Sequence, residues 1–378
     1  MKVLYDHQIF ELQNIGGISR YFAELLAHNS MAQLSLKYSD NVYLQESVYK
    51  DYGILPKNHE CKVFLPSIKF KGKRRLCKIY TKMCNKIYNK KTLSLSVKNL
   101  KKSNYDIFHP TYYDTYFLKY LKHKPFVLTV YDMIHELFPY YYFNDVNNEN
   151  TILNKQYLIS QANTIISISE STKKDILRFF PDLSEKIKVI YLGSSFQQLD
   201  RRVKKERFIL FTGLRTNYKN FDVFIQTVAP LLLKYDLRLI CTGPPFNTTE
   251  NALLEELNIC DRVISKFASD EELKDLYAKA LVFVFPSLYE GFGIPVLEAF
   301  ASGCPAILSN TSSLPEVGGD AALYFDPYSP DDMRNQIERV ITSPSLRGEM
   351  AAKGKERLKM FSWKKCAEET MEVYKKLM

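Results

Sequence analysis

YEGFGIPVLEAFASGCP, residues 289–305, follows the apolar run LVFVFPS at 281–287 and leads into another, PAIL at 305–308. The first run is strand-sized, and a Gly-x-Gly turn at 291–293 ends it. Pro295 then falls at or near the first helical position, where proline is favoured. The stretch therefore predicts a strand, a glycine turn, a helix and a following strand. The same alternation continues upstream through RFILFTG (207–213), a helix at 220–233, LRLICTG (237–243), a helix near 249–258, RVIS (262–265) and a helix at 270–279. Apolar strands alternating with helices predict a parallel sheet covered on both faces.

The first half of the chain repeats the pattern less cleanly. KVLYD (2–6) leads through NIGG (14–17) into a helix from Ile18 to about His28, with Tyr21, Phe22, Leu25 and Leu26 on one face. DIFH (106–109), FVLTVYD (126–132), NTIISIS (163–169) and KIKVIYL (186–192) are strand-like, with helices at 149–161 and 170–180 among them. Residues 194–206, with Arg201, Arg202, Lys204 and Lys205, read as a linker, and helices at 330–342, 345–359 and 362–377 finish the chain. A length of 378 residues suits two domains. The fold class is α/β: two Rossmann-like, doubly wound domains facing across a cleft, with ligands at the carboxyl ends of both sheets.

The bulk composition, 46% hydrophobic and 25% charged, is that of a soluble globular protein. Too few apolar residues precede Asp6 for a signal peptide, and runs such as ALVFVF (280–285) fall far short of a membrane span. Seven scattered cysteines without a CxxC argue against a disulfide framework or a structural zinc. The expected location is cytoplasmic. Net charge is +10, yet Lys69 to Lys102 alone holds thirteen Lys or Arg and no acid, which points to an anionic partner. Within it, residues 73–91 place Leu76, Ile79, Tyr80, Met83, Ile87 and Tyr88 on one helical face, flanked by Arg75, Lys78, Lys82, Lys86 and Lys90. A basic amphipathic helix suits an anionic membrane surface, and the alternative is a stripe packed on the domain core.

Several residues fall where chemistry is expected. Backbone N–H groups from Gly291 to Ile294 point out of a helix start and form an anion site. Glu290 on the preceding loop and Glu298 one turn into the helix can each accept from vicinal sugar hydroxyls. Arg215 and Lys219 lie in the loop after the strand at 207–213, where fixed cations stabilise a departing phosphate. Gly16 and Gly17 permit close approach of backbone to a phosphate or sugar, with Arg20 just inside the following helix. Tyr131 and Asp132 end one strand, and His109, which ends another, is a candidate for the acceptor side. Tyr112, Tyr113, Tyr116 and the run Phe138 to Phe143 suit either sugar stacking or the core. Asp331-Asp332 reads as a helix start, so no metal site is expected.

Glu290 and Glu298 with their intervening sequence resemble the E-x7-E motif of retaining GT-B enzymes, specifically glycosyltransferase family 4. LYDHQIFELQNIGGISRYFAELL (4–26) and TVYDMIHELFP (129–139) also resemble that family, in a pattern similar to bacterial O-antigen mannosyltransferases. The resemblance implies an acceptor-side domain over 1–193, completed by a C-terminal helix at 362–378, and a nucleotide-sugar domain over 205–360. It implies that Glu298 binds the donor ribose and Glu290 the transferred sugar. Backbone at Gly291, Phe292 and Gly293 would meet sugar and diphosphate, Gly16 and Gly17 would abut the diphosphate, and the base would lie near Phe267 and Ala268. Where Tyr131 stands, many members carry histidine, so a phenol hydrogen bond replaces imidazole chemistry. The implied reaction is retaining, metal-independent hexosyl transfer without a cofactor. GDP-mannose is the expected donor, and the acceptor is a saccharide, lipid-linked, at the inner face of the cytoplasmic membrane. A nucleotide-sugar epimerase of the same fold, or a basic nucleic-acid-binding protein, are the alternatives. The second leaves both glutamates unexplained, so no nucleic-acid partner is expected.

Overall fold

The computed structural model describes residues 1–378 except 48–50, 58–72, 142–145, 200–202 and 216. Cys61, Lys69, Lys71, Tyr142, Phe143, Arg201 and Arg202, and the side chain of Arg75, lie outside the described residues. In the first half, β1 (Val3–Tyr5) pairs in parallel with β2 (Ala32–Leu34) and β3 (Ile107–His109). A second parallel set holds β4 (Val127–Val130), β5 (Thr164–Ser167) and β6 (Ile187–Val189). A parallel bridge between Phe108 and Phe126 joins the two sets, so the order across the domain is β2-β1-β3-β4-β5-β6.

The second half is one parallel sheet, ordered β12-β11-β10-β7-β8-β9. Its strands are β7 (Phe208–Thr212), β8 (Arg238–Thr242), β9 (Val263–Lys266), β10 (Val282–Phe285), β11 (Ala306–Ser309) and β12 (Ala322–Phe325). β7, β10 and β11 are buried along their whole length, the physical reason their sequences read as unbroken apolar runs. The strand order reverses between β7 and β10, so the loops after Thr212 and Phe285 open a crevice at the carboxyl edge. The expected doubly wound architecture is the observed one.

Four helices frame the cleft and its approach: α1 (Gly17–Ala27), α2 (Lys73–Lys102), α3 (Ile294–Ala301) and α4 (Trp363–Lys375). α4 crosses back to the first domain, where the hydroxyls of Tyr374 and Tyr5 meet at 2.8 Å and Trp363 Nε1 donates to Ser195 Oγ at 2.9 Å. The chain passes closely there, since a Cβ on Gly193 would lie 2.2 Å from the backbone nitrogen of Trp363.

α2 continues past the expected end at Lys91 to Lys102, and its first half is inverted relative to an ordinary surface helix. Leu76, Ile79, Met83 and Ile87 are 48–61% exposed, while Thr92 and Ser96 are buried. The apolar stripe is thus not spent on the core; only its tyrosines are partly covered, with Tyr88 against Tyr38 at a ring separation of 4.7 Å. No helix among the described residues is long and apolar enough to cross a membrane.

Candidate active site

The glycine turn after β10 is held from both domains. Ser169 Oγ and Thr172 Oγ1, from the first domain, donate to the carbonyl oxygen of Gly291 at 2.8 and 3.3 Å. Ser313 Oγ donates to the carbonyls of Glu290 and Phe292, and the Glu290 amide donates to Ser312 Oγ at 2.9 Å. Ser312 is held at φ 49°, a conformation L-residues rarely adopt, and there its hydroxyl sits under that amide. A Cβ on Gly291 would lie 2.0 Å from the carbonyl oxygen of Tyr131, so glycine is required for the two domains to meet. Gly293, at φ 105°, turns the chain into α3. The Phe292 side chain is buried against Tyr191 and Phe361, which leaves its backbone as the part able to face a ligand.

Both glutamates carry a cationic partner. Lys219 Nζ lies 2.6 Å from Glu290 Oε1, both side chains nearly buried, with the ammonium 5.0 Å from the Tyr218 ring and 5.2 Å from that of Phe285. Glu298 is buried on α3, with Tyr277 Oη donating to its Oε2 at 3.4 Å and Arg20 Nη1 3.8 Å from Oε1. Burial pushes the Glu298 carboxyl up to about 7, opposed by the attraction of Arg20. Arg20 also pairs with Asp270, and its guanidinium lies over the Tyr43 ring at 4.4 Å. It belongs to α1 in the first domain, so it spans the cleft to two acids of the second. Beside it, Gly17 would place a Cβ 3.5 Å from Ile294 at the start of α3, and Gly16 would drive one into the Gln13 side chain.

The remaining expected residues divide. Arg215 lies at the carboxyl end of β7, but its Nε donates to Glu250 Oε1 at 2.7 Å and its Nη2 to the carbonyls of Pro244 and Pro245. Only Nη1, buried and without a hydrogen-bond partner, is left for anything else. The guanidinium is therefore a clamp inside its own domain with one donor spare, and Lys219 is the cation that stands with Glu290. The placing of His109 on the acceptor side is corrected: it is fully buried, with Nδ1 2.6 Å from Tyr374 Oη and Nε2 2.9 Å from Thr129 Oγ1. Burial pushes its imidazole down to about 3, so it is a neutral tie between β3, β4 and α4. The Tyr131 ring is likewise buried, and the residue meets the other domain through its carbonyl. Asp132 Oδ1 accepts from the Ile134 amide at 3.1 Å, and its negative charge adds to burial in pushing the hydroxyls of Tyr112, Tyr113, Tyr218 and Tyr289 up. Tyr113 and Tyr116 fill polar gaps, with Tyr116 Oη donating to Asp6 at 3.1 Å. Phe267 is 72% exposed and Ala268 partly buried, just ahead of Asp270 in the loop after β9.

Sequence reasoning leaves Arg20 evenly balanced between ligand contact and surface, and it misses Glu250, Asp270 and Tyr277. Of these, Glu250 has a local signal. Asn247 and Glu250 form a capping box at a helix start, and the same carboxylate reaches back to Arg215. No group of three or more His, Cys, Asp or Glu that could hold a metal occurs among the described residues.

With this geometry, residues 195–357 match the family model "Glycosyl transferases group 1" and residues 55–196 match "Glycosyltransferase Family 4". O-antigen chain mannosyltransferase B of Escherichia coli is 31% identical over 240 residues, 58% of this chain and 62% of that protein. MMP alpha-(1->4)-mannosyltransferase of Mycolicibacterium hassiacum is 34% identical over 226 residues, 57% of this chain and 54% of that protein. Each match thus spans less than two thirds of the relative's length. The structure of sucrose-phosphate synthase from Thermosynechococcus elongatus superposes with a TM-score of 0.69 at 18% identity, covering 100% of this chain and 99% of that one. At that identity the likeness is one of fold, two GT-B domains.

The buried acid has a measurable signature. Glu298 titrates higher in the folded chain than in the unfolded one, so its contribution to stability is present below the unfolded value and is lost as pH rises through about 7. Between pH 5 and 8 the ligand-free protein should lose thermal stability, and Glu298→Gln should flatten that loss. Identical slopes in the two proteins would contradict the assignment.

Proposed function

The chain belongs to glycosyltransferase family 4, and from this premise we propose that it moves a hexosyl group from a nucleotide sugar to a saccharide acceptor. The observation that carries the proposal is the pair of cleft carboxylates, each already matched by a cation: Glu290 with Lys219 and Glu298 with Arg20. A nucleotide sugar presents hydroxyls at its ribose and hexose and negative charge at its diphosphate. Glu298 takes the ribose hydroxyls and Glu290 those of the hexose. Lys219 and the amides opening α3 then meet the diphosphate, so the cations exchange a carboxylate for a phosphate. The two mannosyltransferase relatives support mannose as the sugar and GDP-mannose as the donor.

In the reaction, the bond from the anomeric carbon to the β-phosphate oxygen breaks and one to the acceptor oxygen forms on the same face. The acceptor proton passes to the leaving phosphate, which gives retention without a covalent enzyme intermediate. Lys219 stabilises the charge growing on that phosphate in place of a divalent cation. Calorimetry and initial rates test this. Glu298→Ala should weaken nucleoside diphosphate binding by about 1.5–3 kcal/mol. Lys219→Ala should lower kcat by at least about 100-fold, and excess EDTA should leave transfer intact. Loss of activity on chelation that Mg²⁺ or Mn²⁺ restores, or wild-type nucleotide affinity in Glu298→Ala, would overturn this reading.

The acceptor in this proposal is lipid-linked, and the exposed stripe of α2 supports it. Leu76, Ile79, Met83 and Ile87 face outward beside the exposed Lys78, Lys82, Lys86 and Lys90. Such a helix lies in the plane of an anionic lipid surface, its apolar side chains among the acyl chains and its ammonium groups at the phosphates. Each lysine contributes roughly 1 kcal/mol of attraction. Changing Lys78, Lys82, Lys86 and Lys90 to Glu should abolish sedimentation with anionic vesicles while leaving transfer to a water-soluble acceptor. A folded variant that still sediments with those vesicles would remove the membrane role.

A further inference from the structure

α3 begins at the cleft and ends at a cavity of about 720 Å³, which Ala301 and Ser302 line at the carboxyl end of the helix. Eight residues at about 1.5 Å each put roughly 12 Å of helix between cleft and cavity. The helix Pro344–Leu358 forms another wall through Arg347 and Gly348. A further wall is the segment that joins the two domains, through Gln198, Leu199 and Lys205. The Leu199 amide donates to the Ala301 carbonyl at 2.9 Å, which ties that segment to the end of α3.

No Asp or Glu occurs among the described residues that line the cavity, whereas Lys205 and Arg347 both line it. Lys205 Nζ donates to the carbonyls of Ala278 at 2.9 Å and Gly303 at 3.0 Å, which occupies two of its three protons. Arg347 Nη1 donates to the carbonyls of Val340 and Ile341, both at 2.7 Å, and its Nε and Nη2 lie outside those bonds. Both cations thus meet the last carbonyls of helices, and neither meets a carboxylate among the described residues. Burial pushes the Lys205 ammonium down, and the positive charge of Arg347 adds to that; burial pushes the Arg347 guanidinium down as well. Charge taken from water in this way is costly unless an opposite charge meets it. Ser302 is 4% exposed and its Oγ has no hydrogen-bond partner, and neither has the buried Nε2 of Gln198. Every polar group left over at these walls is therefore able to donate.

Converging donors, two of them charged, suit a phosphate. Leu199, Val203 and Phe300 add apolar wall beside them, and a cavity of this volume suits an organic molecule rather than a bare anion. Gly348 leaves room for one. It lies inside a helix, where glycine is weak, and a Cβ on it would meet nothing within 4 Å. We propose that this cavity binds a phosphate monoester with an apolar body, its phosphate held by Lys205, Arg347, Ser302 and Gln198. The site goes beyond the glycosyl-transfer reading and stands apart from the cleft. A ligand there touches the joining segment and the end of α3 together, and so fastens the connection between the domains to the second of them.

Calorimetry on the whole chain with phenyl phosphate, geranyl phosphate, glucose 6-phosphate and inorganic phosphate tests this without donor or acceptor. Phenyl or geranyl phosphate should bind at least about tenfold tighter than the other two, and the better of the pair tells a flat ring from a prenyl chain. Gly348→Leu, which fills the space, and Arg347→Gln, which removes the charge, should each weaken that binding by at least about tenfold. Glu298→Ala, in the cleft, should leave it at the wild-type value. The thermal midpoint of ligand-free Gly348→Leu should stay the same or rise, and the bound ester should protect 194–206 from hydrogen exchange. Binding of inorganic phosphate or glucose 6-phosphate as tight as that of the apolar esters, or no binding by any of them, overturns the site. So does binding lost in Glu298→Ala and kept in Gly348→Leu, since the ester then sits in the cleft. A lowered midpoint in Gly348→Leu would show that protein already fills the space, and unchanged exchange over 194–206 would show that the ester does not reach the joining segment. Each of these also overturns it, and all leave the transfer reading untouched.

Discussion

A Cβ on residue 291 would lie 2.0 Å from the carbonyl oxygen of Tyr131, and the rest of the cleft depends on its not being there. The backbone of the second domain touches that of the first at this point, and Ser169 and Thr172 hold the contact with hydrogen bonds to Gly291. Tyr289 extends the seam by donating to Asp175 at 2.9 Å and accepting from the Met133 amide at 3.2 Å. Glu316 extends it further by accepting from the amides of Glu170 and Ser171, the exposed donors of a helix start. Because the seam is built on the loop between Glu290 and Glu298, both carboxylates are fixed relative to the opposite domain. Glycine at 291 is what lets the backbone of the first domain approach.

Charge is arranged across this seam with equal economy. Arg20 and Lys219 neutralise buried carboxylates in the free protein, which offsets the desolvation that pushes Glu298 up to about 7. Both cations are also correctly signed for a diphosphate. In the proposed function, a diphosphate entering between Gly17 and α3 would meet both donors. Arg215 has less freedom. Its fork is committed to Glu250 and to two proline carbonyls, between the rings of Phe246 and Phe221. It ties the loop after β7 to the helix start at Glu250 within the second domain.

The sequence carried the second domain well because its central strands are buried on both faces. FILFT, VFVF and AILS are continuous apolar runs, and such runs can be read without knowing what covers them. The edge strands gave no such signal: AQL at β2 has a polar centre and only its last residue buried, and ALYF at β12 is buried only at its two ends. The site was legible where chemistry and local structure coincide, as in Glu290, Glu298 and the turn between them. It was illegible where the partner is remote. Arg20 meets Asp270 across 250 residues of chain, and no local pattern distinguishes that arginine from a solvated one. His109 misled for the same reason, since a histidine ending a strand looks alike whether it faces a cleft or the hydroxyl of Tyr374. α2 was legible in part: its apolar spacing could be read, but periodicity does not say whether the stripe points in or out, and the structure turns it outward.

The central claim is that one nucleotide sugar bridges the two domains at this seam. Hydrogen–deuterium exchange with and without GDP-mannose tests it most directly. The account predicts that 16–20 in the first domain and 290–298 in the second gain protection together. Protection confined to one domain, or none with GDP-, UDP- and dTDP-sugars alike, would contradict it.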